Sequence, residues 1–166
     1  YPMRLIPLFL LATVSCSVGS AVESVSVASP RSCLTGKVFS VGTDFAPATI
    51  LRLNDGQETH ITGDGAARTR LLTGALLTVC GPITTGATVI EVESLELRAV
   101  DGMTAYLGML EETDGVWKLK RDGSDAPIPL SGIPEQLREA KGSLVWVAGN
   151  WEDRSFLVKS FGLVEG

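Results

Sequence analysis

One stretch and its echo constrain this chain more than any other feature. Residues 71–82 read Leu-Leu-Thr-Gly-Ala-Leu-Leu-Thr-Val-Cys-Gly-Pro, and residues 140–150 read Ala-Lys-Gly-Ser-Leu-Val-Trp-Val-Ala-Gly-Asn. Gly74 and Gly142, Leu76 and Leu144, Val79 and Val147, and Gly81 and Gly149 are each 68 positions apart. Each version reads as the end of a short helix, a glycine stop, an apolar strand and a second glycine. A second echo lies downstream, where Val92-x-Ser94-Leu95-x-Leu97 matches Val158-x-Ser160-Phe161-x-Leu163 at a spacing of 66. Self-similarity at a nearly fixed spacing is the signature of an internal duplication. The fold must therefore be one that a unit of about half this chain can form twice.

The unit reads as mostly β. In the first copy, residues 33–41 interleave apolar with small or polar side chains, as a half-buried strand requires. Residues 49–53 form a second strand, and Asn54-Asp55-Gly56 a tight turn, since Asp-Gly supplies the positive φ that hairpins need. A third strand at 58–62, a helix at 66–72 stopped by Gly74, and a fourth strand at 75–80 follow. A long fifth strand spans 87–100, with a phase shift between Ile90-x-Val92 and Leu95-x-Leu97 that predicts a bulge. The second copy repeats the order, with strands at 104–111, 116–120, 128–130 and 154–164, the fourth strand lying within 140–150. Its helix is expected at 134–141, with Pro134 in the first turn and Gly142 as the stop. Pro127 and Pro129 keep its third strand short or at an edge.

Five strands with one helix between the third and fourth is the element order of the OB-fold. Gly36 and Gly108 fall in the two first strands, where such a barrel needs a sharp bend. On this order and these glycines, residues 33–166 resemble secreted bacterial tandem OB-fold proteins, which include families of unassigned function. The resemblance implies an all-β fold with two short helices, built as two tandem OB-like five-stranded barrels at 33–101 and 102–166; the alternative is a single mixed β-sandwich or barrel. It carries no signature motif that names an activity.

The resemblance also sharpens the cysteines. Cys33 lies three residues before Gly36, and Ala105 three before Gly108; Cys80 precedes Gly81, and Ala148 precedes Gly149. Both cysteines of the first copy thus become alanines together in the second. Strands one and four are neighbours in an OB-fold, which implies a Cys33–Cys80 disulfide. Cys16 is then the odd cysteine.

The N-terminal segment has its own character. Arg4 precedes the short apolar run from Leu5 to Val14, followed by small residues, which is the layout of a secretory signal. The run is too short for a comfortable membrane span and contains Pro7. Residues 1–21 are accordingly expected to be a signal peptide or lipoprotein signal, and 22–32 a flexible linker. Cleavage near Gly19-Ser20-Ala21 competes with lipidation of Cys16, since Val14-Ser15-Cys16 resembles the end of a bacterial lipobox, although Thr13 departs from it. The expected location is exported: periplasmic, outer-membrane-anchored or extracellular. A lipid on Cys16 is the only expected contact with a membrane.

Chemistry-bearing patterns are sparse. The single histidine, His60, has no nucleophile motif around it and reads as a surface residue. No Cys/His cluster has metal-ligand spacing, and the acidic groups Glu111-Glu112-x-Asp114 and Glu91, Glu93 and Glu96 match no EF-hand loop. The glycine turns lack the dinucleotide and phosphate-loop patterns. No catalytic residue, metal or cofactor is expected. The most suggestive surface is in the second copy, where Trp117, Lys118, Lys120 and Arg121 on strand two could join Trp151 and Arg154 in the loop between strands four and five. Such an aromatic and basic patch suits a peptide, a glycan or an anion. The competing reading makes Trp117 and Trp146 core residues and the lysines a solvated wall.

Charge narrows the partners. The net charge is −5, and each half carries more acidic than basic side chains. Neither half has the positive field that phosphate binding requires, which opposes nucleic acid as a partner. The leading expectation is a non-enzymatic binding or interaction module that meets a protein or other cell-envelope component. The alternative is a structural subunit of an extracellular assembly or filament, self-associating through its N-terminal segment and edge strands. Oligonucleotide binding is the weaker third.

Overall fold

A computed structural model describes residues 31–43, 45–84 and 88–165. The expected signal and linker, with Cys16, lie outside the described residues. The described chain is mostly β with two short helices. The first half contains β1 (Arg31–Thr43), β2 (Ala46–Leu53), β3 (Glu58–Thr62), α1 (Gly65–Leu71), β4 (Leu76–Thr84), β5 (Val89–Glu91) and β6 (Ser94–Val100). The second contains β7 (Met103–Thr113), β8 (Val116–Lys120), β9 (Ile128–Ser131), α2 (Glu135–Arg138), β10 (Leu144–Glu152) and β11 (Ser155–Glu165).

Pairing closes a ring of five strands in each half. In the first, β1 pairs with β2, β2 with β3, β3 in parallel with β5, β5 with β4, and β4 with β1. In the second, β7 pairs with β8, β8 with β9, β9 in parallel with β11, β11 with β10, and β10 with β7. β6 joins the rings, pairing with β4 along most of its length and with β7 at the turn Asp101-Gly102.

Closure demands that each first strand serve two neighbours. β1 pairs with β4 from Arg31 to Lys37 and with β2 from Gly36 onward, so both partners crowd the crossover at Gly36. A Cβ at Gly36 would collide with the carbonyl of Arg52, and one at Gly108 with the carbonyl of Lys120. A second matched pair lies on β4 and β10. A Cβ at Gly81 would overlap the carbonyl of Glu91, and one at Gly149 that of Leu157. Backbone passes over backbone at all four places, and only glycine leaves the room.

Two apolar clusters fill the rings. The first gathers Val38, Leu51, Leu77, Val79, Ile90 and Leu97, and the second Leu110, Leu119, Leu137, Val145, Val147 and Phe156. The first extends across the junction to Ala105, Leu144, Ala148 and Val164, with Leu107 and Trp146 packed against it. Trp146 is paired with Gly162, and a Cβ there would strike the indole, so the glycine makes space for the ring. Trp146 is thus part of the packing that unites the halves. Trp117 packs against the second cluster.

Several local expectations change. The fifth strand of the first half is two strands, because Val92 donates its N–H to Thr62 and Glu93 donates to Cys80, which breaks the run between Glu91 and Ser94. The second helix is shorter than residues 134–141. Pro134 is extended (ψ 154°) and caps it, while Ala140 and Lys141 bond three residues back, to Leu137 and Arg138, in a tighter final turn. The third strand of the second half is short, as its prolines require, yet it is flanked by β8 and β11 and is not an edge. Trp151 is not in a loop; β10 continues through Glu152, and a tight hairpin at Asp153-Arg154, with Asp153 at φ 51°, returns the chain into β11.

The expected disulfide is present. Cys33 and Cys80 face each other on β1 and β4, with Cα atoms 4.1 Å apart. Ala105 and Ala148 occupy the corresponding register pair on β7 and β10.

Two measurements check this framework. Gly149→Ala should lower stability by about 3 kcal/mol, because neither carbonyl nor strand can yield without breaking the pairing; a urea midpoint within error of wild type would refute the crowding. Replacing Cys33 and Cys80 together by alanine should cost about 4 kcal/mol on the chain-entropy model for a separation of 47 residues. A loss below about 1 kcal/mol would mean that the strand pairing alone holds the ring.

Candidate functional site

The residues picked out in the second half lie on β8, just past its end, and on β10 with its hairpin. On β8, alternation turns Leu119 fully into the core and leaves Trp117 half-buried. Lys118 is also half-buried and sits opposite Glu111 in the register with β7. Lys120 is exposed, its ammonium 3.9 Å from the Glu111 carboxylate. The acidic face of β7 therefore lies alongside the lysines. Arg154 is exposed in the β10–β11 turn.

Arg121 and Trp151, by contrast, meet through a residue that sequence reasoning passed over. Tyr106 of β7 takes a hydrogen bond on its hydroxyl from the Trp151 indole N–H at 3.1 Å. The Arg121 guanidinium stands 5.4 Å above the Tyr106 ring centroid, within cation–π range. Phe156 completes the group: Tyr106, Trp151 and Phe156 contact one another edge to face, with centroids 5.1 to 6.5 Å apart. Trp151 and Phe156 are direct cross-strand partners beside the hairpin. Phe156 is buried while Trp151 remains 49% exposed, so the inner ring anchors the outer one. The hydrogen bond to Tyr106 then fixes the indole's tilt. An exposed tryptophan held this way contributes contact area at low entropic cost on binding. A two-residue Asp153-Arg154 hairpin, had it been inferred, would have put Trp151 and Phe156 opposite each other from sequence.

Beside Tyr106 opens a cleft of about 670 Å³ between the halves. Its walls include Glu93 with β6 from Ser94 to Leu97, β7 from Tyr106 to Gly108, and the loop from Arg121 to Ser124. Leucines 95, 97, 107 and 144 line it among polar neighbours. Glu93 and Glu96 carry their own cations, Arg31 and Arg98, each at 3.1 Å. Arg121 donates to Ser124 Oγ at 3.2 Å, but its Nε is buried with no hydrogen-bond partner.

Elsewhere, His60 is exposed on β3. Among the described residues, no group of three or more His, Cys, Asp or Glu side chains is placed to hold a metal ion. Also among them, no helix is long and apolar enough to cross a membrane. Comparison with protein-family models, with curated proteins and with solved structures finds no match.

Glu112 lies below the usual glutamate range, chiefly through the hydrogen bond from Lys141 Nζ at 2.7 Å, then that ammonium's charge, then the Gly115 N–H at 3.1 Å. Because its folded value is the lower one, the contact contributes stability above the unfolded glutamate value and loses it as pH falls through the folded value. Lys141→Met should raise the Glu112 pKa toward the ordinary value in a carboxyl-carbon NMR titration. An unchanged titration would assign the depression to Gly115 instead.

Proposed function

We propose that this chain is a non-enzymatic interaction module of the cell envelope or extracellular space, built from two tandem OB-like barrels that arose by duplication. The element order and ring closure of each half support the barrel assignment. The duplication is supported by matched crowding at Gly36 and Gly108 and at Gly81 and Gly149, and by the shared register of Cys33–Cys80 and Ala105–Ala148. The disulfide supports an oxidising compartment, in keeping with an exported chain. Cys16 remains the candidate for lipid attachment.

The observation that carries the binding role is Trp151. An indole half in solvent, hydrogen-bonded to Tyr106 and backed by Phe156, offers fixed aromatic contact area at low entropic cost. The partner is a protein or other envelope component, and the acidic balance of both halves argues against nucleic acid.

The reading makes two expectations. Alkaline phosphatase fused after residue 32 should become active, since that enzyme needs an oxidising compartment; a fusion inactive and retained inside the cell would remove the envelope assignment. The purified protein should sediment with an isolated envelope fraction, and Trp151→Ala should lose most of that binding while retaining wild-type unfolding. Equal sedimentation of the two proteins would remove Trp151 from the role.

A further inference from the structure

The cleft is bounded by backbone that no strand pairs. β6 is paired with β4 from Ser94 to Ala99 along one edge, but along the other it meets β7 only at Ala99 and Val100. β7 is paired with β10 from Thr104 to Met109 along one edge. Its other edge meets β6 at Met103 and Thr104 and β8 from Met109 onward. Residues 94–98 of β6 and 105–108 of β7 thus flank the cleft with one edge each lacking a strand partner among the described residues. Such edges offer a row of donors and acceptors to an extended chain. Between them the partly buried Leu95 and Leu107 provide apolar surface for alternate side chains of an added strand, above a floor formed by the core residues Leu97 and Leu144.

Charge selects the kind of strand. The carboxylates on the β6 side are already matched, Glu93 by Arg31 and Glu96 by Arg98, while Asp122 and Arg68, which also line the cleft, offset each other in sign. On the opposite side Arg121 has no carboxylate within 4 Å among the described residues, and its Nε is buried without a partner. The guanidinium as a whole thus has no anionic partner, and an incoming carboxylate would meet it at the terminal nitrogens rather than at the enclosed Nε. The rigid guanidinium fork, steadied over Tyr106, suits a carboxylate.

We infer that this cleft receives an extended polypeptide segment whose backbone adds to the open edge of β6 and whose carboxylate is bound by Arg121. The inference rests on the interaction-module reading and names the partner's chemistry. The segment is short, because the β6–β7 turn closes one end of the open β7 edge and β8 closes the other.

The test uses a capped peptide of alternating threonine and valine with glutamate at its centre, titrated into the protein under NMR observation. Saturable shifts at the amides of residues 94–98 and 105–108 are expected. Affinity should fall about tenfold or more when the peptide's glutamate becomes glutamine, and similarly for Arg121→Gln in the protein. Combining both changes should cost little beyond either alone. N-methylation of alternate peptide amides should abolish binding, as strand addition requires. If Arg121→Gln disturbs folding, the glutamine peptide decides the same point on unaltered protein. Absence of saturable binding, equal affinity of glutamate and glutamine peptides, or tolerance of N-methylation would each overturn the inference. Trp151-dependent sedimentation with envelope material could survive any of those results, so the inference can fail while the broader reading stands.

Discussion

Everything in this fold depends on one strand meeting two partners. A five-stranded sheet closes only if its first strand leaves one neighbour and joins another partway along. β1 does so at Gly36 and β7 at Gly108. At those points the bent strand lies against the carbonyl of the strand it is joining, closer than any side chain allows. Without closure, β1 and β4 would each keep an open edge, and the cluster around Leu77 and Val79 would lose a wall. The disulfide, the core and the cleft all follow from where closure succeeds and where it stops.

Closure stops at the junction. β6 must pair with β4 to finish the first half and must also turn directly into β7 to begin the second. A tight turn at Asp101-Gly102 holds the two strands together for only two residue pairs, after which they diverge. Packing compensates below the divergence, where Leu107, Leu144 and Trp146 fill against the first cluster. Above Leu107 and Leu144, nothing among the described residues fills the space between the two strands, and that is the cleft. Its position next to Tyr106 and Trp151 is a consequence of β7 belonging to both the junction and the second ring.

Much of this was legible in the sequence because it is written in spacing. Apolar alternation and glycine turns pointed to the element order, and the alanines at the matching positions of the second half, with the adjacency of first and fourth strands that the OB-fold resemblance implies, pointed to the Cys33–Cys80 disulfide. Element ends were less legible where hydrogen bonds compete: Val92 is apolar and in phase for a strand, yet its N–H goes to Thr62. The aromatic cluster was half-legible. Trp151 stood out by type, but Tyr106 and Phe156 look like ordinary strand residues until register sets them beside it. The surroundings of the β8 lysines were not legible, because Glu111, which faces Lys118 in register and lies 3.9 Å from Lys120, is on another strand.

The two halves also fasten the same join differently, and burial explains why. Cys33 lies at an exposed part of β1, where pairing with β4 is flanked by solvent and the chain enters the ring. A covalent bond there prevents the join from fraying. Ala105 and Ala148 hold the same register but are fully buried, because the first half's core covers them. Small side chains suffice where neighbours on both faces keep the strands together, and larger ones would push the halves apart. The first half is therefore closed by sulfur and the second by the first. An opened first ring would expose Ala105, Ala148 and Leu144 as well, so the Cys33–Cys80 bond also protects the seating of the second half, on which the cleft's geometry depends.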